Sequence, residues 1–126
     1  MRRATLLLLL FVSMTAHAAT WRRYAEHGCI GGAECRRNGN RITIALDSAP
    51  VIGVRFFAHD DVGAKSGGQL RVRIDDDVLE DYLDIERHGR EYTIDGHGHR
   101  GRYLVIELAA DDEVVIKDVR VRYERY

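Results

Sequence analysis

Leu70-Arg71-Val72-Arg73-Ile74 carries the clearest structural signal of the chain, because apolar and charged residues alternate along it without a break. Side chains two residues apart lie on the same face of a strand, so this period indicates one buried face and one face in water. Asp75-Asp76-Asp77 follows directly and is typical of a turn. The segment therefore predicts one strand of a half-buried antiparallel sheet.

The same alternation recurs along the chain, with Gly, Asn, Asp or Pro turn signals between the apolar runs. It predicts about seven strands, over residues 41–46, 51–59, 70–74, 82–86, 91–94, 102–109 and 113–123. Residues 78–86 also fit a helical spacing, and the strand over 82–86 is the favoured interpretation. So many apolar faces need two sheets packed together, so the predicted fold is an all-β, antiparallel two-sheet β-sandwich that is jelly-roll-like.

The last predicted strand changes its parity. Val114 and Ile116 share one face, whereas Val119 and Val121 fall on the opposite parity. One extra residue in a strand restores the buried face, so the pattern predicts a bulge near Lys117-Asp118.

The N-terminal segment predicts export. Arg2 and Arg3 precede the apolar run 6–12, and Ala16-His17-Ala18 places small residues where a signal peptidase reads. The run is far shorter than the roughly 20 residues that a spanning helix needs, although a transmembrane anchor is the alternative interpretation. We therefore expect a signal peptide at 1–18, a single β-sandwich domain at 19–126 without a membrane span, and a periplasmic or secreted location.

Composition narrows the class of partner. The formal net charge is −1, and the predicted signal peptide carries two of the arginines and no acidic residue. The exported part is therefore mildly acidic overall, which argues against a nucleic-acid partner.

The chain has two cysteines, Cys29 and Cys35. In an oxidising compartment a close pair predicts a disulfide bond. A metal site that also uses His27 is the alternative.

The sequence predicts no enzyme. After the signal peptide the only serines are Ser48 and Ser66, and neither stands in a nucleophile motif. The carboxylates are scattered, as expected of a solvated surface, and a small sandwich seldom builds the cleft that a carboxylate pair requires.

The best metal candidates are His97 and His99, with Asp95 just before them. On a strand both imidazoles would share a face and could ligate Zn²⁺ or Cu²⁺. The alternative is a glycine-rich hairpin tip with solvated histidines. Three aspartate clusters invite a Ca²⁺ interpretation, but their spacing matches no calcium loop, and aspartate also satisfies turn backbone: they are 60–61, 75–77 and 111–112.

Outward-facing arginines form the candidate ligand or partner surface. They share the solvent parity of their strands and lie beside Phe57 and Tyr103: Arg55, Arg71, Arg73, Arg120 and Arg122. Arginine with aromatic residues suits an anionic polysaccharide or a protein partner. The alternative is a set of cross-strand ion pairs with outward carboxylates, namely Asp84, Glu86, Glu107 and Glu124.

The C-terminal half resembles small bacterial secreted β-sandwich proteins of unassigned function. The residues that carry the resemblance are the strand at 70–73, Tyr92–Gly96, Arg100–Leu104 and Val119–Tyr123, with Trp21 just after the predicted signal peptide. The chain departs from that pattern in its cysteine pair and at Tyr103-Leu104. The resemblance implies a sandwich fold and an exported location, and it transfers no site residue.

These observations together predict an exported, non-catalytic binding or interaction module of the bacterial envelope, with an envelope protein or a polysaccharide as its partner. Long glycine-rich loops at strand ends, where sandwich modules often place their sites, support that prediction. A periplasmic metal-binding protein that uses the His-x-His loop is the alternative.

Overall fold

The computed structural model describes residues 20–30, 39–60, 68–109 and 113–124, with the side chains of the first strand described up to Tyr24. Within these ranges the regular structure consists of eight strands, which confirms the predicted all-β class. In chain order they are β1 (Trp21–Ile30), β2 (Arg41–Ala45), β3 (Val51–Asp60), β4 (Gln69–Ile74), β5 (Asp77–Asp84), β6 (Arg90–His99), β7 (Tyr103–Leu108) and β8 (Val114–Tyr123).

The strands form two antiparallel four-stranded sheets, ordered β1-β8-β3-β6 and β2-β7-β4-β5. Among strands that follow one another in the chain, only β4 and β5 pair within a sheet. Every other connection crosses to the opposite sheet, which is jelly-roll connectivity. The predicted jelly-roll-like sandwich is confirmed, with eight strands rather than seven.

The core lies between the two sheets and is built from the alternating apolar residues. In β4, Leu70, Val72 and Ile74 are fully buried, whereas Arg71 and Arg73 face outward. The same alternation buries residues of β7 in the same sheet and of β3 and β8 in the opposite sheet, among them Val54, Phe56, Ala58, Leu104, Ile106, Ile116, Val119, Val121 and Tyr123. Because the side-chain period is two, burying these residues fixes which side chains occupy the two outer faces.

The predicted bulge in β8 is present. Asp118 has a φ of 52°, in the left-handed region, and the register with β3 shifts between the pairs Arg55–Arg120 and Phe57–Lys117. The extra residue returns Val119 and Val121 to the core side, as the change of parity requires.

The strand that the sequence did not predict is β1. It lies at the edge of its sheet and pairs only with β8, from Trp21 opposite Arg122 to Ile30 opposite Val114. Tyr24 is its described contact with the core. The stretch 21–30 shows no regular alternation of apolar and polar residues, which is why the sequence pattern did not reveal this strand.

A pair of tyrosines holds β1 against the core. The hydroxyls of Tyr24 and Tyr123 are hydrogen-bonded, and the Tyr123 hydroxyl also accepts the backbone N–H of Asp47 at 3.0 Å. Burial, together with the bond to Tyr24, raises the pKa of Tyr123 well above its ordinary value.

Two predicted boundaries are wrong. The strand expected at 82–86 lies at Asp77–Asp84, because Tyr82 has a φ of 54° and two register shifts against β4 break its period. The strand expected at 91–94 runs on to His99, so most of the predicted hairpin tip at 95–101 is strand.

Several predictions lie outside the described residues. They are the signal peptide at 1–18, the cysteine pair, since Cys35 and the Cys29 side chain are not described, and most of the loop at 60–69. Among the described residues, none belongs to a helix that is long and apolar enough to cross a membrane.

Candidate functional site

The structure divides the predicted ligand or partner surface between the two sheets. Arg71, Arg73 and Tyr103 lie on β4 and β7, whereas Arg120 and Arg122 lie on β8 in the other sheet. They therefore do not form one continuous surface, although each of them was predicted to face outward from its strand. The two outer faces differ in how their arginines are neutralised.

On the β2-β7-β4-β5 face the arginines are paired with carboxylates. Arg73 Nε donates to Glu107 Oε1 at 2.9 Å, and Arg71 Nε donates to Asp81 Oδ1 at 2.8 Å. The hydrogen bond with Asp81 raises the pKa of Arg71 above its ordinary value. Tyr103 is 48% exposed on the same face. Here the alternative interpretation holds, since cross-strand ion pairs account for both arginines.

The opposite face carries a row of three arginines on adjacent strands. Arg120 lies opposite Arg23 of β1 on one side and opposite Arg55 of β3 on the other. Neighbouring strands are about 4.8 Å apart, and like charges placed directly opposite one another are destabilising. We call this surface the arginine face and define it by Trp21, Arg23, Arg55, Lys117, Arg120 and Arg122.

Carboxylates neutralise only the two ends of the row. Arg23 donates to Asp118 at 2.6 Å, and Arg55 Nε lies 3.1 Å from Glu91 Oε1. Among the described residues, no carboxylate lies within ion-pair distance of Arg120 or Arg122. The buried Nε of Arg122 also has no hydrogen-bond partner among the described residues. Among the described residues, the two arginines of β8 therefore lie on the arginine face without a paired carboxylate.

The Trp21 ring packs against this face over Gly53, which leaves room for it. A Cβ atom at Gly53 would come within 2.7 Å of Cη2 of the indole. The Arg55 guanidinium carbon is 4.3 Å from the centroid of the ring, a cation–π distance. An aromatic plane thus borders the row of arginines.

The β8 bulge opens a depression beside Arg120. This depression has a volume of about 250 Å³. Its outward-facing lining combines cations, two carboxylates and one half-buried aromatic residue: Arg55, Phe57, Glu91, Lys117, Asp118 and Arg120. Since Lys117 and Arg120 are separated by the extra residue of the bulge, their side chains flank a wider gap than regular pairing would leave.

The predicted metal residues lie at the end of β6. The rings of His97 and His99 are 6.4 Å apart between centroids, and each Nδ1 lies 3.7 Å from a different aspartate, Asp95 for His97 and Asp77 for His99. His97 and Gly98 both have positive φ, so regular strand alternation does not hold there. No group of three or more metal-binding side chains suited to an ion occurs among the described residues. The zinc or copper site stays a prediction.

The aspartate turn at 75–77 has a structural role. The Asp75 carboxylate accepts the backbone N–H groups of Arg102 and Tyr103 at 3.0 and 3.1 Å. It thereby ties the β4–β5 turn to the start of β7. The other two aspartate clusters lie partly or wholly outside the described residues.

The sequence did not identify Arg23 or Lys117 as site residues, nor Trp21 as part of a surface. Trp21 and Arg23 share one parity, and Arg22 and Tyr24 share the other. A strand interpretation of this short stretch would have placed an aromatic residue and an arginine on one face. Its pairing with β8 could not be read from the sequence.

A scan against known protein families and a search of curated proteins find no match for this chain. Among solved structures, it is similar to a point mutant of the carbohydrate-binding module CBM29-2, with a TM-score of 0.46, 11% identity and 79% coverage of each chain. It is also similar to the CBM22-1 xylan-binding domain of Paenibacillus barcinonensis Xyn10C, with a TM-score of 0.47, 9% identity, and coverage of 84% of this chain and 86% of that one. Likenesses at this level carry no argument about function.

Proposed function

We propose that this protein is an exported, non-catalytic binding module of the bacterial envelope, and that its arginine face holds an anionic polysaccharide. The observation that carries the proposal is the position of Arg120, between Arg23 and Arg55 and without a carboxylate partner among the described residues. A cation that lies directly between two others on adjacent strands costs folding free energy unless an anion lies close to it.

The contrast between the two faces supports a ligand site on the arginine face. On the β2-β7-β4-β5 face, Glu107 lies within ion-pair distance of both Arg71 and Arg73. On this face the protein therefore supplies its own carboxylate partner for the arginines. An anionic ligand would supply the missing counter-charge on the arginine face, since a guanidinium presents a planar fork that matches a carboxylate, sulfate or phosphate.

The shape of the surface favours a polymer. Arginine positions repeat across β1, β8 and β3 at strand spacing, and Arg122 continues the pattern one row further along β8. A chain with anionic groups at regular intervals can contact several of these side chains at once. Trp21 adds an aromatic surface at the border, on which the apolar C–H face of a sugar ring can pack. An acidic protein partner is the alternative, and the experiment must distinguish it from an anionic polysaccharide.

The experiment measures binding of the exported domain to soluble anionic and neutral polysaccharides. Trp21 is the only tryptophan of the chain, so its fluorescence reports directly on the arginine face. We expect saturable binding to an anionic polysaccharide that weakens with added salt, and none to neutral dextran.

The decisive variant is Arg120→Ala with Arg122→Ala. We expect its affinity to fall roughly tenfold or more, because bonds to charged groups contribute about 1.5–3 kcal/mol each. Arg41→Ala with Arg102→Ala is the matched control, since it removes two exposed arginines outside the arginine face, one on β2 and one just before β7. Equal losses in both variants, or binding to acidic protein but to no polysaccharide, would overturn the proposal.

A further inference from the structure

The depression beside Arg120 carries information about the kind of anion, because its charges are of both signs. Lys117 and Arg120 line it on β8, and Arg55 lines it on β3. Glu91 and Asp118 lie in the same lining, each within ion-pair distance of an arginine of the row. A ligand group that enters meets several cations and two fixed carboxylates.

The two carboxylates limit how much negative charge the depression accepts. Their side chains are 59% and 46% exposed, so they lie at the rim, where an entering ligand passes them. A group with one negative charge that pairs with Arg120 and Lys117 brings a single like charge to these two carboxylates. A chain with several sulfates or phosphates on each sugar would place further negative charge near Glu91 and Asp118. Like charges that lie close together repel, so such a chain would bind less well.

The aromatic residues limit the rest of the ligand. Phe57 is half-buried in the lining of the depression, and Trp21 packs against Arg55 at its border. A pyranose ring has an apolar C–H face that packs on an aromatic ring, whereas a peptide carboxylate brings no such face. A depression that combines cations with an aromatic surface therefore fits a sugar that itself carries the anionic group.

We infer that the arginine face recognises a polyuronate, a polysaccharide with one carboxylate on each sugar, and that one uronic-acid residue occupies the depression beside Arg120. This inference rests on the proposed function and specifies its ligand class. Glu91 and Asp118 act as specificity-determining residues that favour sparse carboxylates over dense sulfates.

The test compares four probes by fluorescence titration of Trp21 at fixed ionic strength: polygalacturonate, its fully methyl-esterified form, dextran sulfate and poly-glutamate. We expect polygalacturonate to bind at least roughly tenfold more tightly than each of the others. The methyl ester keeps the sugar and removes the charge. Poly-glutamate keeps the carboxylate and removes the sugar.

A second arm changes the two rim carboxylates, as Glu91→Gln with Asp118→Asn. Asparagine tolerates the left-handed backbone that Asp118 adopts, so the bulge is preserved. We expect the affinity for dextran sulfate to rise by a larger factor than the affinity for polygalacturonate. Melting temperature checks that the variant is folded.

The outcomes separate this inference from the proposed function. If dextran sulfate binds the unmodified protein more tightly than polygalacturonate, and binding depends on Arg120 and Arg122, the polyuronate is wrong and the proposed function stands. Equal binding of the methyl ester or of poly-glutamate overturns the inference as well. If no anionic polysaccharide binds, both fall.

Discussion

At the scale of single residues, the decisive feature is the fit between Trp21 and Gly53. The indole occupies the space that a side chain at position 53 would need, since a Cβ there would meet Cη2 at 2.7 Å. Glycine in a strand is otherwise unfavourable, because it adds conformational entropy to the unfolded chain. Its presence in β3 therefore reflects the close approach of the ring.

This fit predicts the sign of Gly53→Ala. Strand propensity alone would stabilise the variant by about 0.5–1 kcal/mol, but the forced displacement of the indole costs about 1–3 kcal/mol. We expect a net loss in the free energy of unfolding. We also expect Trp21 emission to shift to longer wavelength as the ring moves into water. Chemical denaturation and the emission spectrum measure both effects.

Gly98→Ala is the control for that prediction. It has a positive φ, and a Cβ there would meet nothing within 4 Å. We expect a backbone cost of about 1–2 kcal/mol and an unchanged emission spectrum. A stabilised Gly53→Ala variant with native emission would show that the indole does not rest on this glycine.

At the scale of strands, the outer face of β7 and β4 is held by one carboxylate between two arginines. Glu107 is 15% exposed, accepts from Arg73 at 2.9 Å and lies 3.9 Å from Arg71. Removing its charge leaves both guanidinium groups in a partly buried position without this partner. We therefore expect Glu107→Gln to lower the free energy of unfolding by about 1.5–3 kcal/mol.

The matched control for Glu107 is Glu86→Gln. Glu86 lies 3.5 Å from Arg90, and both side chains are more than half exposed. Exposed pairs contribute about 0–1 kcal/mol, so this variant should unfold close to the unmodified protein. Equal destabilisation of the two variants in urea denaturation would contradict the role we assign to Glu107.

The strands also show where local patterns succeed and fail. The alternation of β4 and the bulge in β8 were both predicted correctly. Both features show directly in the order of apolar and polar residues along the chain. β5 was misplaced because Tyr82 adopts positive φ, which no local preference for tyrosine indicates. β1 was missed because the stretch 21–30 has no regular apolar alternation, and its pairing with β8 joins segments that are distant in the sequence.

At the scale of the whole molecule, the topology joins distant parts of the chain. β1 pairs with β8, and β2 pairs with β7, so most sheet contacts close long loops. The entropy of closing such loops must be lost before the contacts form, which slows folding.

We therefore expect one cooperative unfolding transition and refolding in milliseconds to seconds, as for other all-β sandwiches. Stopped-flow dilution from guanidinium, followed by Trp21 fluorescence, measures the rate. Because Trp21 lies on β1 and packs across β8 onto β3, its signal should appear only when these three strands have assembled. Native emission within microseconds would contradict this expectation.

The candidate site was only partly predictable. The sequence identified Arg120 and Arg122 as outward residues of one strand and identified Arg55 as outward on another. It grouped them with Arg71, Arg73 and Tyr103, which the structure places on the opposite sheet. Arg23, which completes the row, lies on the strand that the sequence did not predict.

The all-β class, the buried face of most strands and the bulge in β8 could all be predicted from the sequence. Each of these depends on residues that are neighbours along the chain, so a period of two suffices to reveal them. Which arginines share a surface depends instead on how the strands are ordered in the two sheets. In a jelly roll, successive strands mostly pass to opposite sheets, and neighbours within a sheet come from distant segments. The row through Arg23, Arg120 and Arg55 therefore exists only once β1, β8 and β3 lie side by side.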